Sequence, residues 1–290
     1  MKMNNVQERK DRIGDIEKSD MLSWTKEFEE FFDKTMREYP FEYDYDVIAR
    51  ELPYFKTLNY TEYANCITIH PLQLELRVTQ MEEAWKDDAT VKHDYIEFFR
   101  KNINEKNANK YKDRRSTEQK KARRAIVVLP GSNKLKERVC LNKLKYIRDT
   151  HGSDVWIKPH PLTTHKLVGE IMDLFKEDNV LHRNDDLYTL LAQSEIIYSS
   201  VISESAMYAT ALGKQLEPID VYHKTPEGSF YHINRYLFKE DDPTAWVNRT
   251  FNSYKSGIFC PLIDDDWKEK LVNYLDYIAI VRKKYKNKYL

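Results

Sequence analysis

Between Ala125 and Ile219 short, unbroken apolar runs alternate with helical stretches, and that rhythm leaves few folds open. Ala125–Leu129 (AIVVL) carries no polar residue and is bounded by Pro130-Gly131. A strand of that composition is buried on both faces, as strands of parallel sheets are. A helical segment follows, with Leu135, Val139, Leu144 and Ile147 on one side, and it stops near His151-Gly152. Asp154–Lys158 (DVWIK) predicts a second strand, Lys166–Glu177 a helix, and Asn179–His182 a short third strand. Asp185 is placed to cap a short helix carrying Leu187, Leu190 and Leu191. Glu195–Tyr198 reads as a fourth strand, Glu204–Leu212 as a helix ended by Gly213, and Gln215–Ile219 as a fifth strand. Strand and helix alternating at this interval predict an α/β, Rossmann-like parallel sheet with helices on its faces.

The N-terminal part has a different texture. Trp24, Phe28, Phe31 and Phe32 recur at helical spacing up to Pro40. The segment 39–46 is aromatic and acidic, and Cys66–His70 is a short β-type run ended by Pro71. A helical pattern returns from Leu72 to Arg100, and the residues after Pro243 look helical again. The expected division is a mainly helical acceptor-side lobe over 1–120, then a nucleotide-binding domain with C-terminal helices over 121–290.

Charge and cysteine content narrow the class. Lys+Arg and Asp+Glu balance at 47 each, so total charge selects no partner. The segment 101–124 is locally basic, and such a run reads first as a solvated linker and second as a polyanion contact. Three scattered cysteines imply neither a disulfide framework nor a zinc cluster. The polar N-terminus is no signal peptide, and no apolar run approaches the ~20 residues of a membrane span. The expected setting is cytoplasmic.

Ligands of an open parallel sheet bind beyond the carboxyl ends of its strands. That rule gathers Ser132 after the first strand, Lys158 and His160 around the end of the second, and Ser199, Ser200, Ser203 and Glu204 after the fourth. Singly, each has a plain structural role: a cap, a turn, a solvated helix face. Together they form a convergent polar rim, with hydroxyls at a helix start suited to phosphate and a carboxylate suited to a ribose. The base that an acceptor hydroxyl would need is sought by residue type alone in Asp44, Asp46 and His70. Asp264-Asp265-Asp266 reads as a solvated run, so no metal is expected.

Lys158-Pro159-His160-Pro161, the Asp-led short helix, Ser199-Ser200 with its Ser-Glu-Ser helix, and Ala211-Leu212-Gly213-Lys214 resemble the donor-binding half of GT-B glycosyltransferases. The likeness is to bacterial sialyl-, polysialyl- and Kdo-transferases and to CDP-glycerol glycerophosphotransferases, and it spans roughly residues 125–220. It implies a UDP-, CDP- or CMP-linked donor, with His160 on the donor phosphate or sugar, Ser199 and Ser200 on phosphate, and Glu204 on the ribose. It departs from that family in its N-terminal half, which shows no glycine-rich first loop and no acidic pair followed by glycine.

Two acceptor classes follow from the resemblance. One is a surface polysaccharide. The other is hydroxymethylated DNA of bacteriophages, towards which the tyrosine-rich, basic character leans, with Lys112, Arg114 and Arg115 as phosphate contacts. A non-catalytic nucleotide-binding module is the reading outside enzymes.

Overall fold

The computed structural model describes residues 25–39, 42–45, 57–71, 73–105, 115–131, 139–161, 165–220 and 230–289. Along the chain the elements begin with α1 (Thr25–Met36), β1 (Glu42–Tyr45), β2 (Thr57–Tyr63), β3 (Cys66–Pro71), α2 (Leu74–Trp85) and α3 (Tyr95–Asn104). Then come β4 (Ala125–Val128), α4 (Leu141–His151), β5 (Val155–Lys158), α5 (His165–Leu174), α6 (Leu187–Gln193), β6 (Ile196–Ser199), α7 (Ser205–Ala211) and β7 (Gln215–Pro218). The chain continues through α8 (Tyr231–Leu237), α9 (Pro243–Asn252), β8 (Ile258–Phe259) and α10 (Trp267–Tyr289).

Two compact units result. One contains Ile103–Gly228, and the other combines Leu22–Asn102 with Ser229–Leu290. The division differs from the expected break at 120/121, because the C-terminal helices group with the N-terminal segment. The reason is pairing and packing across the sequence: β8 bonds to β3, and Trp267 of α10 stacks on Phe28 of α1 with ring centroids 5.0 Å apart.

In the first unit β4 lies between β5 and β6, with β7 beyond β6, and every pairing is parallel. Strands β4, β5 and β6 are buried along their whole length, as their apolar composition requires. Ala125, Val127, Leu129, Val155, Ile157, Ile196 and Tyr198 form one core with Leu144 and Ile147 of α4. Each fully buried Val, Leu or Ile there contributes roughly 1.5–3 kcal/mol. The expected third strand appears as a single parallel bridge, Val180 to Ile157, on the outer side of β5. With it, the spatial order is that of a Rossmann sheet. The cap of α6 is Asp186, which accepts the Thr189 N–H, rather than Asp185. After α7 the turn at Gly213 takes φ 64°, the left-handed conformation that glycine adopts freely.

Helices predominate in the second unit, as expected, but they pack on a sheet. That sheet has four strands in the order β1-β2-β3-β8, parallel between β1 and β2 and antiparallel elsewhere. Helices α1 and α10 cover its core of Phe28, Phe32, Leu58, Ile67, Ile69, Phe259, Trp267, Leu271 and Tyr274. A buried polar knot locks the C-terminal turn. Asp264 accepts from the Tyr95 hydroxyl at 2.5 Å, from the Cys260 N–H at 2.9 Å and from the Lys270 ammonium at 3.2 Å.

Candidate functional site

The order of strands in the parallel sheet fixes where a ligand crevice opens. The chain leaves β4 for β5 on one side and returns to β6 on the other, so the connections diverge between β4 and β6. At such a reversal the helices part, and the space beyond the carboxyl ends of those two strands is where nucleotides bind. Pro130 and Gly131 follow β4 there, Ser200 to Glu204 follow β6, and His160 follows the neighbouring β5.

Ser199 and Ser200 are wholly buried, and their hydroxyls are engaged inside the protein. Ser200 donates to the Asp220 carboxylate at 2.9 Å, and the other oxygen of Asp220 accepts the Val201 N–H. The Ser199 hydroxyl meets that of Ser205 at 2.6 Å, and Ser205 meets Ser203 at 2.7 Å. Both serines expected to contact a phosphate thus have hydroxyl partners inside the chain. A carboxylate already fills the polar turn, and only Ser203 and Glu204 of this set are half-exposed. Asp220 went unnoticed in the sequence, where the only signal was an acid closing a mostly apolar fifth strand.

Lys158 is buried as well, with its ammonium donating to the carbonyls of Pro159 at 2.8 Å and Arg183 at 2.7 Å. It fastens the loop after β5 to the turn after Val180. His160 is half-buried at the end of the same loop. Ser132, Lys112, Arg114 and Asp46 lie outside the described residues.

The basic stretch before β4 is partly built into the sheet. Arg115 exchanges backbone hydrogen bonds with Asn184 and Asp186, each 2.9 Å. Its guanidinium and the Lys120 ammonium each lie 3.5 Å from the buried Asp185 carboxylate. Arg123 stacks over Trp156, 3.5 Å from the ring centroid, and donates to the carbonyls of Val155 and Asp178. Arg124 pairs with Glu195 at 3.3 Å. The expected linker begins in α3, and from residue 115 these four cations have partners inside the chain. His182, in the same turn as Asp185, has its pKa lowered by burial and then by Arg115, so its ring is neutral near pH 7.

Of the residues sought as a base, Asp44 and His70 lie in the second unit. Asp44 stands on β1 opposite Asn59 of β2. His70 is enclosed, 1% exposed, and its ring packs on that of His232 with centroids 4.4 Å apart. Neither ring nitrogen of His70 has a hydrogen-bond partner, and burial, then the charge of Arg77, pushes its pKa well down. A general base must reach the proton it removes. His70 has the neutral form that a base needs but no open path to solvent.

The strand order defines a Rossmann-like α/β domain. No family model matches the chain, and no curated protein matches it. Among solved structures it is similar to Thermosulfurimonas dismutans KpsC, described as a beta Kdo 2,7 transferase. The identity is 14%, the match covers 86% of this chain and 89% of that one, and the TM-score is 0.41. A superposition at that score fixes neither fold nor activity. Among the described residues no helix is long and apolar enough to cross a membrane.

Proposed function

We propose that the protein is a glycosyltransferase that takes a nucleotide-linked sugar at the rim between β4 and β6. The observation that supports this most is convergence. His160 after β5, and Ser203 with Glu204 after β6, come from separate strands to the carboxyl end of one parallel sheet, where its order reverses. In this reading His160 contacts the donor's phosphate or sugar, Ser203 contacts phosphate, and Glu204 accepts from ribose hydroxyls. Asp220, Ser199 and Ser200 shape the turn that presents them.

The acceptor in this reading is a carbohydrate hydroxyl. Arg115, Lys120, Arg123 and Arg124 have partners within the chain, which removes much of the argument for a duplex phosphate track. Removal of the acceptor proton is assigned to a carboxylate of the N-terminal half, with Asp44 the candidate by residue type.

A thermal-shift titration with UDP, CDP and CMP tests the donor site, because a ligand that binds only the folded chain raises its melting temperature. One nucleotide is expected to stabilise the protein, and His160→Ala and Glu204→Gln to weaken that effect at least tenfold in apparent affinity. Hydrolysis of the matching nucleotide sugar separates an enzyme from a binding module. If no nucleotide shifts the folded protein, or both variants bind as well as the parent, the reading fails.

A further inference from the structure

In the second unit His93 lies just before α3 and Asp265 and Asp266 just before α10, and one ligand atom from each lies within 4.8 Å of the others. We propose that these three side chains hold a divalent transition-metal ion of the zinc type, which clips the two loops together.

The scaffold is fixed before any ion arrives. The Asn252 side chain holds the loop before α3 on both sides of the peptide. Its carbonyl accepts the N–H groups of Lys92 at 2.9 Å and His93 at 3.0 Å, and its amide donates to the His93 carbonyl at 2.8 Å. On the other loop Asp264 turns inward, leaving Asp265 and Asp266 on the outside. The Tyr95–Asp264 hydrogen bond ties one loop to the other two residues away from the ligands. Ligands on such a frame lose little freedom on binding.

His93 itself carries the second mark of a ligand. Its Nε2 is shielded from solvent and takes no hydrogen bond, although buried ring nitrogens are normally paired. It lies 3.6 Å from the nearer oxygen of Asp265. A third observation is that a cation already sits at the edge of the cluster: the Lys92 ammonium is 2.5 Å from Asp266. Lys92 is 59% exposed and can swing away when a doubly charged ion competes for the same oxygen. One imidazole and two carboxylates suit zinc or cobalt, with water completing the shell, better than the all-oxygen shells of magnesium or calcium. The positive ends of two helices nearby oppose the ion and keep its affinity modest.

The test uses the full chain, stripped with chelator and titrated with Co²⁺ and then Zn²⁺. Visible d–d bands of tetrahedral or five-coordinate cobalt, displaced by zinc, are expected, with a rise in melting temperature. Asp265→Asn, at a side chain 90% exposed, preserves the fold and is expected to abolish the bands, as is His93→Ala. Lys92→Met removes the competing ammonium and is expected to tighten binding about fivefold. Bands that survive in Asp265→Asn and His93→Ala place the ion elsewhere and overturn the proposal. So does the absence of bands in both the parent and Lys92→Met.

Discussion

The packed, buried imidazoles of His70 and His232 make the second unit sensitive to mild acid. Both residues are 1% exposed, on β3 and α8, and burial is the largest cause lowering each pKa well below the ordinary histidine value. Arg77 on α2 lowers His70 further, and the His70 ring and then Arg77 lower His232 further. The folded chain therefore keeps both rings neutral at a pH where an unfolded histidine, with a pKa of about 6.5, takes up its proton. Unfolding binds protons, so stability is complete above the unfolded value and falls as the pH drops below it. Two such groups give a slope approaching ~2.7 kcal/mol per pH unit, and a loss of about 2.7 kcal/mol between pH 7.5 and 5.5. Urea unfolding followed by far-ultraviolet circular dichroism at half-unit pH steps measures it. Other groups add to the parent's profile, so the informative quantity is the difference from His232→Phe. That variant should lose about 1.4 kcal/mol less over the same range, having one such proton fewer to bind. If the parent and the variant decline in parallel, the two rings are not buried neutral and the reasoning is wrong.

Two further substitutions probe the same unit. Gly257 takes φ 65°, and a methyl group there would fall on the Ile69 carbonyl oxygen and press on Gln80 and Tyr274. Gly257→Ala should cost about 3 kcal/mol, the sum of a left-handed alanine and overpacking, and lower the melting temperature by roughly 6–12 °C. Lys270→Met leaves the Asp264 carboxylate buried without its cation, at an expected cost of about 3–5 kcal/mol in urea unfolding. Adding Asp264→Asn should recover much of that loss, and a double variant no better than the single would refute the pairing argument.

The parallel sheet could be read from the chain because a strand covered on both faces needs apolar residues at every position. Ala125–Val128 and Val155–Ile157 meet that demand without interruption. The other sheet could not be read the same way. Thr57–Tyr63 mixes polar and aromatic residues, and β8 is two residues long, recognisable only when Ile67 and Thr68 are seen opposite it. The return of the C-terminal helices to the N-terminal unit is likewise a property of distant contacts, such as the Lys268–Glu27 ion pair at 2.8 Å. No local periodicity records it.

The serines at the end of β6 show what residue type leaves open about a rim. A hydroxyl after a parallel strand can serve a ligand or the turn, and the two uses look alike in sequence. Here the turn has its own anion. Asp220 binds Ser200 and the Val201 N–H, the groups a phosphate would have taken. A second anion at that spot would meet a carboxylate in a region of low dielectric, where like charges repel strongly. The hydroxyl chain from Ser199 through Ser205 reaches Ser203, which is half-exposed. In the proposed reading, phosphate contact falls to the half-exposed Ser203 and to the loop bearing His160. The buried serines hold the turn in shape.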